Sequence, residues 1–194
     1  MRDARYLAID ESNYGKWPEI HTCVGSNNPQ DVEKNGTIPK RKKGISLTPE
    51  EQESSKHLII SREHFDAFGG ERGLFCRLVR VVACVELIRQ HPYAEAIIID
   101  GEIHELLLEE MRRKIYKNHY HPKIEGIANA DRHYPLVNRA DTIARALFRR
   151  YRDMKNFSQA TLAELISFHP SYNRTLVIPD LKNYDDVLKR LESK

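Results

Sequence analysis

Four acidic side chains stand at the ends of apolar runs in this chain of 194 residues. Asp10 and Glu11 close A-I-D-E, Asp100 closes A-I-I-I-D, and Asp131 directly follows K-I-E-G-I-A-N-A. Carboxylates brought to one place repel one another, and buried charge without a partner is costly, so such a group calls for a cation. Magnesium and manganese are hard ions that take oxygen ligands; two of them about 4 Å apart activate a water and stabilise the leaving oxygen of a phosphodiester. Each carboxylate also has an ordinary use. Asp100 suits the N-cap of a following helix, and Asp10 with Glu11 suits a turn before Ser12-Asn13. Asp131 is harder to place this way, because Pro135 fits the first helical position and makes Tyr134 the cap.

Periodicity supplies the elements that would gather these side chains. Residues 5–10 (R-Y-L-A-I-D) and 19–24 (E-I-H-T-C-V) read as a hairpin of two strands, and 57–61 (H-L-I-I-S) as a third strand. Residues 26–56 between them are polar and punctuated by Pro29, Pro39 and Pro49, which predicts a long, partly mobile loop, a place to look for substrate contacts. Over 72–90, Leu74, Phe75, Leu78, Val81, Val82, Val85 and Ile88 follow the three-four spacing of a helix that ends near His91-Pro92. Residues 94–100 read as a strand buried on both faces, 101–116 as a second helix and 123–128 as a fifth strand. Pro135 opens a third helix through Leu136, Val137, Ala140, Ile143, Ala144 and Leu147. One or two shorter helices are expected after Asn156, in an extension over 156–194. The order predicts a single α/β domain over 1–194, a mixed five-stranded sheet with helices on both faces. It is the ribonuclease H-like order, and periodicity alone does not separate it from other mixed α/β arrangements. With strands one, four and five side by side and parallel, the four carboxylates meet at one edge, where ligands of α/β folds commonly bind.

Composition narrows the setting. The hydrophobic content of 40% is that of a soluble globular protein, and no apolar stretch approaches the roughly 18 residues that cross a bilayer. An intracellular, cytoplasmic protein without a membrane segment is expected. Cys23, Cys76 and Cys84 show no C-x-x-C spacing, so neither a disulfide framework nor a cysteine zinc site is expected. The 31 basic residues nearly balance 28 acidic ones, and the net charge of +3 permits nucleic-acid binding without demanding it. Three basic runs stand out: Lys40-Arg41-Lys42-Lys43, Arg112-Arg113-Lys114, and Arg149-Arg150 with Arg152. Each reads as a solvated face or as a contact to phosphates, the latter if it flanks a shared site. His119 and His121, spaced H-x-H, read as surface residues, and Tyr14 and Trp17 as packing or base-stacking groups.

Three stretches resemble type 2 ribonucleases H, the ribonuclease HII family. A-I-D-E-S is similar to that family's I-D-E-A-G opening and I-I-I-D-G to its mid-chain strand. A-D-R-H-Y-P-L-V-N-R-A-D-T-I-A-R-A is similar to its A-D-A-K-Y-P-x-V-x-x-A-S-I-L-A-K pattern. The resemblance implies that Asp10, Glu11, Asp100 and Asp131 hold two magnesium or manganese ions. It also implies endonucleolytic hydrolysis of RNA in RNA-DNA hybrids or a related nucleic acid. Two departures stand out. Where the family carries G-R-G-P after its acidic pair, this chain has S-N-Y-G-K-W-P, with Gly15 and Lys16 as partial substitutes; Arg132-His133 replace the family's lysine. Gly15, Lys16, Arg132, His133, Lys40, Arg41, Lys42 and Lys43 are the expected nucleic-acid contacts. Two other readings stand beside this one: a ribonuclease H-like nuclease acting on another DNA or RNA substrate, and a non-catalytic nucleic-acid-binding protein or assembly subunit.

Overall fold

The computed structural model describes residues 4–12, 16–39, 55–60, 62, 66, 71–116, 119–152 and 173–175. The strands are β1 (Tyr6–Ser12), β2 (Glu19–Ser26), β3 (Ser55–Ile60), β4 (Ala96–Asp100), β5 (Lys123–Ile127) and β6 (Asn173–Thr175). The helices are α1 (Arg72–Ile88), α2 (Glu105–Ile115) and α3 (Pro135–Arg152), with short 3-10 turns at Pro29–Val32 and Ala130–Arg132. The sheet runs β5-β4-β1-β2-β3-β6. β1 pairs antiparallel with β2 and β2 with β3, whereas β4 runs parallel to β1 and β5 parallel to β4. An antiparallel three-strand meander whose first strand pairs in parallel with the fourth, and the fourth with the fifth, is the ribonuclease H-like order. The five expected strands are present. The sixth is an addition: Asn173–Thr175, within the stretch expected to be helical, pairs parallel with β3.

The pleat divides the core in two. Leu7 and Ile9 of β1, Leu58 and Ile60 of β3, and Ile97 and Ile99 of β4 pack with α1 and α2. Ala8, Ile20, Val24, Ile59 and Ile98 face the other way, against Leu136, Val137, Ala140, Ile143 and Leu147 of α3. Central strands covered on both faces explain the nearly unbroken apolar runs of β1 and β4. α1 is wedged between the sheet and α2, so 12 of its residues are buried, against the single stripe its periodicity predicts. Phe75 at its first turn is fully buried with Trp17 edge-on at 5.7 Å, so Trp17 is a packing residue. Cys23, Cys76 and Cys84 are buried and free, and burial raises their thiols, which removes them as nucleophiles. No helix among the described residues is long and apolar enough to cross a membrane.

The stretch between β2 and β3 is structured at its start. Beyond the 3-10 turn, the Asn35 and Ile38 N–H groups donate to the carbonyls of His133 (2.8 Å) and Arg132 (2.8 Å). Asp31 accepts from Ser26 at 2.6 Å and lies 3.8 Å from Arg139 of α3.

Candidate active site

β1 runs two residues beyond its expected end, so Asp10 and Glu11 lie within the strand rather than in a turn. Consecutive strand residues point to opposite faces. Glu11 lies across from His21 and near Arg80 on the α1 side, whereas Asp10 feels Asp141 of α3. The Asp10 carboxylate is held locally, its Oδ1 accepting from the Glu11 backbone N–H at 2.7 Å. Asp100 ends β4. Gly101 then turns the chain with φ +84°, and its N–H donates to the Ile127 carbonyl at 2.8 Å. His104, not Asp100, caps α2, its Nδ1 accepting from the Leu106 N–H at 3.3 Å, so Asp100 is released from the capping use. Asp131 lies in the 3-10 turn after β5, entered through Asn129 in the left-handed region. The Asp131 N–H donates to Asp100 Oδ1 at 3.2 Å, and Asn138 of α3 holds the Asp131 carbonyl at 2.9 Å.

The four carboxylates therefore sit at one end of three adjacent parallel strands, and their electrostatics record the crowding. Burial first, then Glu11, Asp100 and Asp141, push Asp10 well above the usual carboxylate range. Burial raises Glu11 too, against the opposing pull of Arg80 and His21. Asp100 is raised by burial and by Asp131, and held down in part by the N–H of Asp131. Such groups are short of positive charge.

The cation beside them is one that sequence reasoning missed. Arg80 of α1 places Nη2 3.6 Å from Glu11 Oε2 and donates to the carbonyls of Asp100 and, at 3.2 Å, Glu102. In the sequence its spacing from Arg77 reads as a solvated helix face, so no distinguishing signal was available. Asp141 was also missed. It is 7% exposed and ion-paired with Arg145 at 2.6 Å, where the resembled pattern has serine. The pair Glu19 and His21, fully buried at 2.7 Å, lies on the same face as Glu11.

Hard oxygen donors fit magnesium or manganese in kind. In position they are not yet assembled: among the described residues, no three His, Cys, Asp or Glu side chains form a group that could hold an ion. The remaining expected residues divide. Arg132 is exposed and His133 half-buried beside Asp131, and Lys16 is exposed at the bend before β2. Gly15 and Lys40, Arg41, Lys42 and Lys43 lie outside the described residues. The Arg112-Arg113-Lys114 run is occupied within the fold: Arg112 pairs with Glu105 at 2.6 Å and Arg113 with Glu110 at 2.6 Å.

Comparison with solved structures finds ribonuclease HII-like chains. One is the PCNA–ribonuclease HII complex from Archaeoglobus fulgidus, at 13% identity and TM-score 0.47 over 87% of this chain and 91% of that one. Another is ribonuclease H2 from Pyrococcus horikoshii OT3, at 13% identity and TM-score 0.49 over 95% and 98%. No family model and no curated protein matches the chain. The strand order and pairing described above make the fold ribonuclease H-like. What the ribonuclease H-like edge holds in this chain is a set of oxygen donors together with one arginine.

Beside Glu11 the edge opens into a cavity of about 580 Å³, lined by Arg77 and Arg80, by Glu102 and His104, and by the apolar Val81, Ile103 and Leu107. Arg77 is exposed there, and its Nε donates to the Gly73 carbonyl of its own helix at 3.3 Å.

Proposed function

We propose that the chain is a metal-dependent endonuclease that hydrolyses phosphodiester bonds of RNA paired with DNA, or of a related nucleic acid. The observation that supports this reading is the placement of Asp10 and Glu11 near the end of β1, Asp100 at the end of β4 and Asp131 in the turn after β5, the last two joined by the Asp131 N–H to Asp100 bond. These residues would hold two magnesium or manganese ions, whose chemistry is to activate water and stabilise the departing oxygen. The chain's own groups do the rest. Asp100 at the end of β4 and Asp131 in the turn after β5 are linked by the Asp131 N–H, and Asn138 holds the Asp131 carbonyl, so the carboxylates that would hold the ions are positioned by bonds to the backbone. Arg132 and His133 stand beside Asp131 as phosphate contacts, with Lys16 and the Lys40-Arg41-Lys42-Lys43 run as further ones.

The test is cleavage of labelled substrates with magnesium or manganese: an RNA-DNA hybrid, a duplex with one embedded ribonucleotide, single-stranded RNA and duplex DNA. Metal-dependent cutting of the ribonucleotide substrates, lost in Asp10→Asn and Asp131→Asn, is the expected result. Cutting confined to the other substrates keeps the site and changes the substrate. The position of Arg80 favours one second reading, a nucleic-acid binder whose carboxylates are neutralised by arginine in place of metal. Binding without cutting, indifferent to Asp10→Asn, identifies it.

Arg77 adds a phosphate contact to those the sequence offered. A cation that neutralises one phosphate contributes about 0.9 to the slope of log K against log salt on duplex DNA. Arg77→Gln is therefore expected to weaken hybrid binding several-fold at low salt and to lower that slope by about 1. Fluorescence anisotropy across a potassium chloride series reads this, and an unchanged slope removes Arg77 from the interface.

A further inference from the structure

We propose that Arg80 is a resident counter-ion that a divalent cation must displace from Glu11, so that this arginine sets the affinity of the carboxylate edge for the ion. The inference rests on the reading of that edge as a metal site. The guanidinium is anchored to backbone and only leans on the carboxylate. It donates to the carbonyls of Asp100 and Glu102, while its approach to Glu11 Oε2, at 3.6 Å, is a charge contact without a hydrogen bond. That oxygen is buried and accepts no hydrogen bond among the described residues, and neither does Arg80 Nε donate one there. A side chain only 13% exposed, holding an anion this loosely, compensates charge without satisfying the anion's lone pairs.

A doubly charged ion is attracted to Glu11 and Asp100 and repelled by a guanidinium within a few ångströms, so the two cations compete. Asp10, on the other face of β1, has no ion pair among the described residues, so the competition is focused on Glu11 and Asp100. The cavity that Arg80 lines gives the guanidinium open space beside its present place. Linkage makes the effect reciprocal: whatever weakens Arg80's hold on Glu11 strengthens the ion's, and the ion loosens Arg80.

Calorimetric titration of magnesium chloride into the wild type, Arg80→Gln, Arg80→Lys and Arg89→Gln tests this, with thermal unfolding in chelator and in about 10 mM magnesium. Arg89 lies roughly 13 Å further along the helix axis and is the control for loss of charge elsewhere. Arg80→Gln is expected to bind magnesium about tenfold more tightly, Arg80→Lys to stay within about twofold of wild type, and Arg89→Gln to match it. The lower melting temperature of Arg80→Gln in chelator should recover by roughly 3–5 °C on adding magnesium. A purely structural arginine gives the same deficit in both buffers and no gain in affinity, and either result overturns the proposal. Should Arg80→Gln fail to fold, the Nε–H resonance of Arg80 in the wild type decides. It shifts over the magnesium titration if the guanidinium is displaced, and its invariance while other signals move overturns displacement. Magnesium binding indifferent to residue 80 defeats this inference alone. Absence of binding in both wild type and Arg80→Gln defeats it together with the metal reading.

Discussion

Replacing Asp10 by asparagine is expected to raise the melting temperature in chelator by roughly 2–6 °C while lowering metal-dependent cleavage on the order of 10³-fold. Both effects come from one carboxylate. Asp10 is 4% exposed, its raised titration comes first from burial and then from Glu11, Asp100 and Asp141, and it has no ion pair among the described residues. Its charged form opposes folding; its removal belongs with the stabilising changes worth about 0.5–2 kcal/mol that functional sites commonly permit. In a chain of this size each kilocalorie moves the transition by about 2–4 °C. The pH dependence follows with a definite sign. A carboxyl raised in the folded state binds its proton more tightly there, so stability is largest below its unfolded value near 3.8 and falls as pH rises through the raised folded value. The asparagine variant lacks that fall, so its advantage grows as pH rises toward and through the raised folded value and vanishes toward pH 4. Differential scanning calorimetry from pH 4 to 8 measures it, and a variant less stable than wild type at pH 7 in chelator would show that Asp10 is compensated in the apo protein. The cleavage loss has the scale seen when one group that stabilises transition-state charge is removed.

Gly101→Ala is expected to destabilise the fold by about 2–4 kcal/mol, a fall of roughly 10 °C. Its backbone φ of +84° strains any side chain, and a Cβ there would stand 2.7 Å from Arg80 Nη2. The second cost is separable. With Arg80→Gln as background the collision is gone and only the backbone term of about 1–3 kcal/mol remains, so a double-mutant cycle should show clear non-additivity. Strict additivity, within about 0.5 kcal/mol, would mean that the arginine moves aside at no cost.

The two predictions also show what could be read from one-dimensional information. Asp10, Glu11, Asp100 and Asp131 were legible because each ends or follows an apolar run, and the parallel pairing of β1, β4 and β5 then carries them to one edge. Pro135 at the first position of α3 was legible for the same kind of reason, a local rule with one answer. Arg80 was not. On a helix, an arginine three residues from another reads as solvated surface, and only the packing of α1 between the sheet and α2 turns it toward Glu11. Asp141 was hidden likewise, its i,i+4 partner Arg145 resembling ordinary helix-surface pairing. The split of Asp10 and Glu11 to opposite faces followed from strand alternation alone, but reading their pair as the end of the strand concealed it. β6 was invisible because three residues carry too little period to register, and its existence depends on β3 offering an edge.

The two backbone bonds from Asn35 and Ile38 to the carbonyls of His133 and Arg132 have a consequence for long-range tethering. They join two stretches far apart in the chain, so the turn that carries Asp131 is held from the segment after β2 as well as from β5. Proline in place of Asn35 or Ile38 has no N–H to give and would remove one of these bonds, loosening the turn with every ionisable group of the protein still present.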